Sequence, residues 1–246
     1  MTRPDLLIHW TGKDISTSLG SLTDGDRKGY VDRLEDIVSK GFWMTRPPES
    51  LTGKNVRSGS GGHSFKYEVD MTCFTEVRLS ASADHAQAYG LLGIAVDRKY
   101  VLNRWGTPVH YVRNSDDEWI VGAFADALYQ ANRLPAGTRD RMMASLRYLG
   151  VFLKPMSNSK SDDDFAYIDE HEWRVVQTEE QVRKGRICTT GLKKPQYRLL
   201  VEPSDLKLIV FPDEITRRMA VFRLEAFLRK AGNTVPLLTL RECAQF

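Results

Sequence analysis

Strand-like and helix-like apolar patterns do not alternate regularly along this chain, and that order limits its possible folds more than any single motif. Leu6-Leu7-Ile8-His9-Trp10 reads as a buried strand closing on Thr11-Gly12-Lys13. Tyr30, Leu34, Ile37 and Val38 then recur at helical spacing, with Gly41 placed just past the C-cap. Residues 46–64, with Pro47-Pro48 and Ser58-Gly59-Ser60-Gly61-Gly62, read as a connector. It lacks the preceding strand and the closing Gly-Lys-Ser/Thr of a phosphate loop. Strands are predicted at 71–76, 91–96, 107–112, 197–201 and 207–211, and a helix at 81–89. Two consecutive helices interrupt the strands. One is opened by a Ser115/Glu118 capping box and runs to Asn132. The other, from Arg139 to Leu149, gathers Met142, Met143, Leu146 and Leu149 on one side as core. Asp213 caps a last long helix, Glu214 to Lys230, and the tail from Thr234 adds an extended segment. A wound parallel sheet needs strands and helices in alternation. This order predicts one α+β domain over residues 1–246, built on a mixed, mostly antiparallel β-sheet with a helical insertion at 115–150 and a C-terminal helix.

Composition narrows the function classes. With 41% hydrophobic residues in 246, one sizeable core can form. A net charge of +3, from 35 basic and 32 acidic residues, is too balanced to direct the chain to nucleic acid. Lys193-Lys194 and Arg217-Arg218 are pairs and not patches. No apolar run reaches bilayer-spanning length, and the N-terminus lacks the apolar core of a signal peptide, so no membrane role is expected. Cys73, Cys188 and Cys243 are odd in number and widely spaced, which argues against a disulfide framework and for a reducing, cytoplasmic setting. His63, His110 and His171 lack metal-ligand spacing, so no metal is expected.

The block Phe165-Ala166-Tyr167-Ile168-Asp169-Glu170-His171-Glu172-Trp173-Arg174-Val175-Val176 is the densest candidate for chemistry. Read as a strand, it places Glu170, Glu172 and Arg174 on one face and His171 and Trp173 on the other. Two close carboxylates suit acid/base work or the stabilisation of a cation. The same pattern describes an Arg-braced structural strand. His9 precedes a glycine turn, where a ligand can approach the backbone closely. His85 and Tyr89 lie four apart on a predicted helix, and Tyr89 offers either a stacking ring or ordinary packing.

Several segments, in order, resemble the AbiGi family of abortive-infection (phage-resistance) proteins. They are Ile8-His9-Trp10-Thr11, then Cys73-Phe74-Thr75-Glu76-Val77-Arg78-Leu79-Ser80, His85, and Tyr89-Gly90-Leu91-Leu92-Gly93-Ile94-Ala95-Val96. Thr107-Pro108-Val109-His110-Tyr111, Phe152-Leu153-Lys154-Pro155, Asp169 to Arg174 and Leu206 to Val210 complete the set. Residues 115–141 match least. The resemblance implies an antitoxin or sensor subunit whose partner is a cognate, nucleotidyltransferase-like toxin or a phage-derived protein. Exposed anchors for such a partner are expected on the helix at 115–132, with Trp119, Phe124 and Tyr129, or on the C-terminal helix.

A looser similarity is to ADP-ribosyltransferases, and it implies a split sheet gripping NAD. In that reading His9 holds the nicotinamide ribose beside Trp10 and Thr11, and Phe74, Thr75 or Tyr89 supplies the second motif. Glu172 stabilises the developing cation, and Glu170 orients the acceptor. The family pairs Glu-x-Glu with Arg in the first strand, and here that position is His9. No cofactor is expected unless this reading holds, in which case it is NAD.

Overall fold

The computed structural model describes residues 6–47, 50–53, 63–66, 68–76, 78–113, 119–156, 167–191, 196–230 and 235–246. In chain order the strands are β1 (Leu6–Thr11), β2 (Phe42–Trp43), β3 (Ser50–Gly53), β4 (His63–Lys66), β5 (Met71–Thr75), β6 (Leu92–Asp97), β7 (Thr107–Pro108), β8 (His110–Val112), β9 (Leu153–Pro155), β10 (Glu172–Val176), β11 (Ile187–Thr190), β12 (Gln196–Leu199), β13 (Leu206–Phe211) and β14 (Leu237–Thr239). The helices are α1 (Asp24–Lys40), α2 (Ser82–Tyr89), α3 (Arg98–Asn103), α4 (Trp119–Asn132), α5 (Ala136–Gly150), α6 (Glu179–Arg183), α7 (Glu214–Lys230) and α8 (Leu240–Cys243).

Seven strands form the main sheet, in the order β14-β13-β6-β1-β5-β10-β7. Its pairings are antiparallel apart from β13 with β14, which run parallel. The mixed, mostly antiparallel sheet and the C-terminal helix predicted from element order are what this chain builds.

Register assigns the two faces of this sheet. Ile8 pairs with Thr75, and Thr75 with Glu172, so those three side chains share one face. Side chains alternate along a strand, which puts Leu7, His9, Phe74 and Trp173 on the other. α1 covers the His9 face: Arg33 donates to Thr11 Oγ1 at 3.1 Å, and Tyr30 to the Gly12 carbonyl at 3.3 Å. Phe42, just past α1, packs edge-on against His9 with ring centroids 5.0 Å apart. α1 opens on a reciprocal Thr23/Asp26 capping box. It closes at Gly41, where φ is 96° and a Cβ would lie 2.5 Å from the Leu199 carbonyl oxygen. On the Glu172 face, Trp10 lies over its register partner Gly93. Further along that face Met71 and Val176 meet Val112, Val121 and Val151, which brings α4 and the end of α5 onto the sheet. Leu128, Ala131 and Leu146 seam α4 to α5.

Several sequence expectations change. The strand expected at 107–112 is two pieces in different sheets, β7 beside β10 and β8 beside β9. Pro108 has no N–H to give a ladder, and the chain crosses at Val109, whose N–H reaches the Glu172 carbonyl at 2.8 Å. The block at 165–176 is not one strand. Tyr167–Glu170 form a 3-10 turn, His171 takes a left-handed φ of 44°, and β10 begins only at Glu172. The extended tail is three residues of β14 followed by α8, capped by Thr239 and Glu242. Met142 and Leu149, expected in the core, are exposed. The Ser115/Glu118 capping box, the glycine-rich 58–62 stretch, Phe165-Ala166 and Lys193-Lys194 lie outside the described residues.

Both edges of the main sheet are blunted. At β14, the Leu237 carbonyl accepts from Arg217 at 3.0 Å, and the Thr239 N–H donates to Glu242 at 2.7 Å. β7 is two residues long and includes Pro108. Among the described residues no helix is long and apolar enough to cross a membrane.

Candidate functional site

The residues with the most unusual electrostatics collect on the Glu172 face. Glu172 and Arg174 are two apart on β10, so both project to that side, and both are buried. Arg174 Nε donates to Glu172 Oε1 at 2.7 Å, and its Nη2 to Oε2 at 3.1 Å. Its Nη1 reaches the Val151 carbonyl just past the end of α5. Lys154, the buried middle residue of β9, places its ammonium 2.6 Å from Glu172 Oε2 and 2.6 Å from Glu170 Oε2. The Tyr89 hydroxyl, at the last residue of α2, donates to Glu170 Oε1. The Tyr111 hydroxyl accepts from the Glu172 backbone N–H at 2.8 Å.

The local backbone explains the convergence. A continuous strand would have stacked Glu170 beside Glu172 without a cation between them. The 3-10 turn and left-handed His171 swing Glu170 round so that Lys154 sits between the two carboxylates. Two negative and two positive side chains then cancel in a space almost closed to water. Burial pushes Glu172 up, but Arg174 and Lys154 together outweigh it and hold its carboxyl at about 2. Burial raises Glu170, partly offset by Lys154 and reinforced by the charge of Glu172. Burial raises the Tyr111 hydroxyl to about 12.

The sequence-predicted residues therefore divide. Glu170, Glu172 and Tyr89 come together, with Thr75 on the same face. His9 and Phe74 lie behind the sheet and do not join them. There His9 Nδ1 is 2.8 Å from the Cys73 carbonyl oxygen, and its ring packs between Phe42 and Phe74. Burial lowers His9 to about 4, so it is a neutral imidazole at physiological pH. Trp10 packs on Gly93 and Thr11 is held by Arg33. Sequence reasoning missed Lys154, whose signal was a lone Lys between apolar neighbours in a three-residue strand, and Tyr111.

Both oxygens of Glu172 are occupied from within the protein, and each partner is itself buried. An arrangement of this kind ties β9, β10, the 3-10 turn, α2 and the end of α5 together. It is a brace whose link toward the α4–α5 pair is the bond from Arg174 to the Val151 carbonyl.

A family model described as "Putative abortive phage resistance protein AbiGi, antitoxin" matches residues 65–212, more than half of the 246. The chain belongs to the AbiGi family. No curated protein and no solved structure matches it. The AbiGi match takes in every member of the buried charge cluster, from Tyr89 to Arg174. It leaves out β1, with His9, and α7.

Proposed function

We propose that this AbiGi chain is the binding half of an abortive-infection pair, and that it masks a cognate toxin protein with the exposed apolar side of the α4–α5 arm. The observation that carries this reading is the arm's uncovered apolar surface. Trp119 is 72% exposed and Leu149 63%. Met142 and Leu149 are seven apart on α5 and share one stripe, a helical face of the kind that is normally buried. α4 and α5 are joined by three residues, which makes them antiparallel neighbours. Trp119 at the start of α4 and Tyr148-Leu149 at the end of α5 therefore stand at the same end of the arm. Tryptophan and tyrosine anchors dominate many interfaces. The family description, an antitoxin, supplies the class of occupant.

The buried charges support this by position, since Arg174 grips Val151 where α5 ends. The transferase reading gains nothing comparable. It needs His9 and Glu172 around one nicotinamide, and the β1–β5–β10 register sets them on opposite faces.

The test is co-expression with a candidate cognate toxin. Wild-type chain is expected to co-elute with the toxin and to protect growth. Trp119→Ser with Leu149→Ser is expected to lose both while keeping the melting temperature. A double variant that still binds and protects would overturn the proposal, as would an arm that instead binds a phage protein.

A further inference from the structure

α7 carries a second uncovered surface, on the opposite face of the sheet from the arm. Its inward side is fixed: Ala220 and Leu224 are buried, Arg223 pairs with Asp32 and Glu35 of α1, and Arg217 pairs with Glu242 at 2.9 Å. Its outward side presents Ile215, Arg218, Val221, Phe222 and Glu225, all exposed, with Phe222 at 88%. Along one side of the projecting phenyl ring runs a shallow groove lined by Val221, Phe222 and Leu237 and rimmed by Glu214, Arg217, Arg218 and Glu225. A two-fold interface uses one patch twice, so that patch must hold both the projection and the recess that receives it. This one does.

The charges repeat the same self-matching pattern. Two α7 helices laid antiparallel, with the two-fold axis between Val221 and Phe222, set Val221 opposite Phe222. The same placement sets Arg218 opposite Glu225, and symmetry makes each contact twice. Parallel helices would set Arg218 on Arg218 and Glu225 on Glu225. Arg218 already holds Glu214 of its own helix at 2.8 Å, so it sits in an acidic setting that a second Glu225 extends. Strand addition at the neighbouring edge is hindered by the bonds to the Leu237 carbonyl and the Thr239 N–H, which favours side-chain docking on this surface.

We propose that the chain forms a two-fold dimer through antiparallel α7 helices, with Phe222 of each copy seated in the Val221–Leu237 groove of the other. A single helix pair covers less area than the roughly 1,600 Å² of a standard interface, which is the size class of weak, transient pairs, so the dimer is sought in the micromolar range. This surface is separate from the α4–α5 arm, and its test does not involve a toxin.

Sedimentation velocity over about 1 to 200 µM protein brackets that affinity range. Wild-type protein is expected to pass from monomer to dimer, and Phe222→Asp to remain monomeric throughout. Arg218→Glu and Glu225→Arg each set like charges face to face, and each is expected to weaken the dimer about tenfold or more. Mixed together, those two single variants are expected to pair with each other, because every 218–225 contact then joins opposite signs. All three positions are exposed, so circular dichroism should report an unchanged fold. The proposal is overturned if wild-type protein stays monomeric across the range, if Phe222→Asp leaves the dimer intact, or if the mixed variants fail to associate.

Discussion

Lys154→Met tests the reading of the buried cluster. The substitution keeps the length of the side chain in β9 and removes the ammonium that stands 2.6 Å from both Glu170 and Glu172. Glu172 keeps its two bonds from Arg174, while Glu170 keeps the Tyr89 hydroxyl and now faces an unshielded carboxylate. Breaking a buried ion pair from one side costs roughly 3–5 kcal/mol. That is a fifth or more of the stability of a typical domain, about 5–15 kcal/mol. The sign with pH follows from Glu170, already raised by burial and raised further once the cation is gone. The folded variant binds a proton there that the unfolded chain releases above the ordinary carboxylate range. Its stability therefore rises as pH falls through that window, by at most about 2.7 kcal/mol between pH 7 and 5, which is two units of linkage. Glu170→Gln in the same background should restore at least half the loss, a coupling of about 1.5–3 kcal/mol. Urea unfolding at both pH values measures each quantity. A loss under about 1 kcal/mol that is equal at the two pH values and merely additive with Glu170→Gln would refute the brace.

Three further outcomes are expected alongside those for the arm and for α7. His9, lowered to about 4 by burial, favours the native state only while neutral. Its contribution is fully present above pH 6.5 and is lost as pH falls towards 4, up to about 3 kcal/mol because the ring is only partly shielded from solvent. Denaturant midpoints at pH 7, 5.5 and 4.5 should show His9→Phe flattening that slope. Gly90→Ala, at φ 117°, would bring a Cβ to 2.3 Å from the Thr11 carbonyl oxygen, and should cost more than about 2 kcal/mol in thermal melts. Gly137→Ala in α5 meets nothing within 4 Å and should gain about 0.5–1 kcal/mol.

The frame of this fold was legible in the sequence where period and capping agreed. α7 runs over Glu214–Lys230 behind its Asp213 cap, and β1, β5, β6 and β13 fall within a residue or so of their apolar runs. The site was legible only in its composition. Glu170 and Glu172 do converge, but through a 3-10 turn and a left-handed His171 that strand periodicity cannot encode. Lys154 was invisible as their partner because its placement depends on β9 lying beside β8, a contact 43 residues apart in sequence at Tyr111. The grouping of His9 with Glu172 failed for a reason of parity. Whether two strands share a face depends on cross-strand register, and a shift of one residue exchanges the faces. Helical periodicity likewise marks an apolar stripe on α5 without saying whether the stripe finds a neighbour, and Met142 and Leu149 do not.

Arg217 and Glu242, by occupying the Leu237 carbonyl and the Thr239 N–H of the last strand, also limit how an assembly can grow from that edge. An uncapped border would let copies join hydrogen bond by hydrogen bond into a ribbon without end, the route by which sheet proteins turn into fibres. With one border of the main sheet capped and the other reduced to a proline-bearing dipeptide, growth by adding strands to this sheet is hindered at both ends. A two-fold side-chain contact, by contrast, uses its patch up in the pair and stops there.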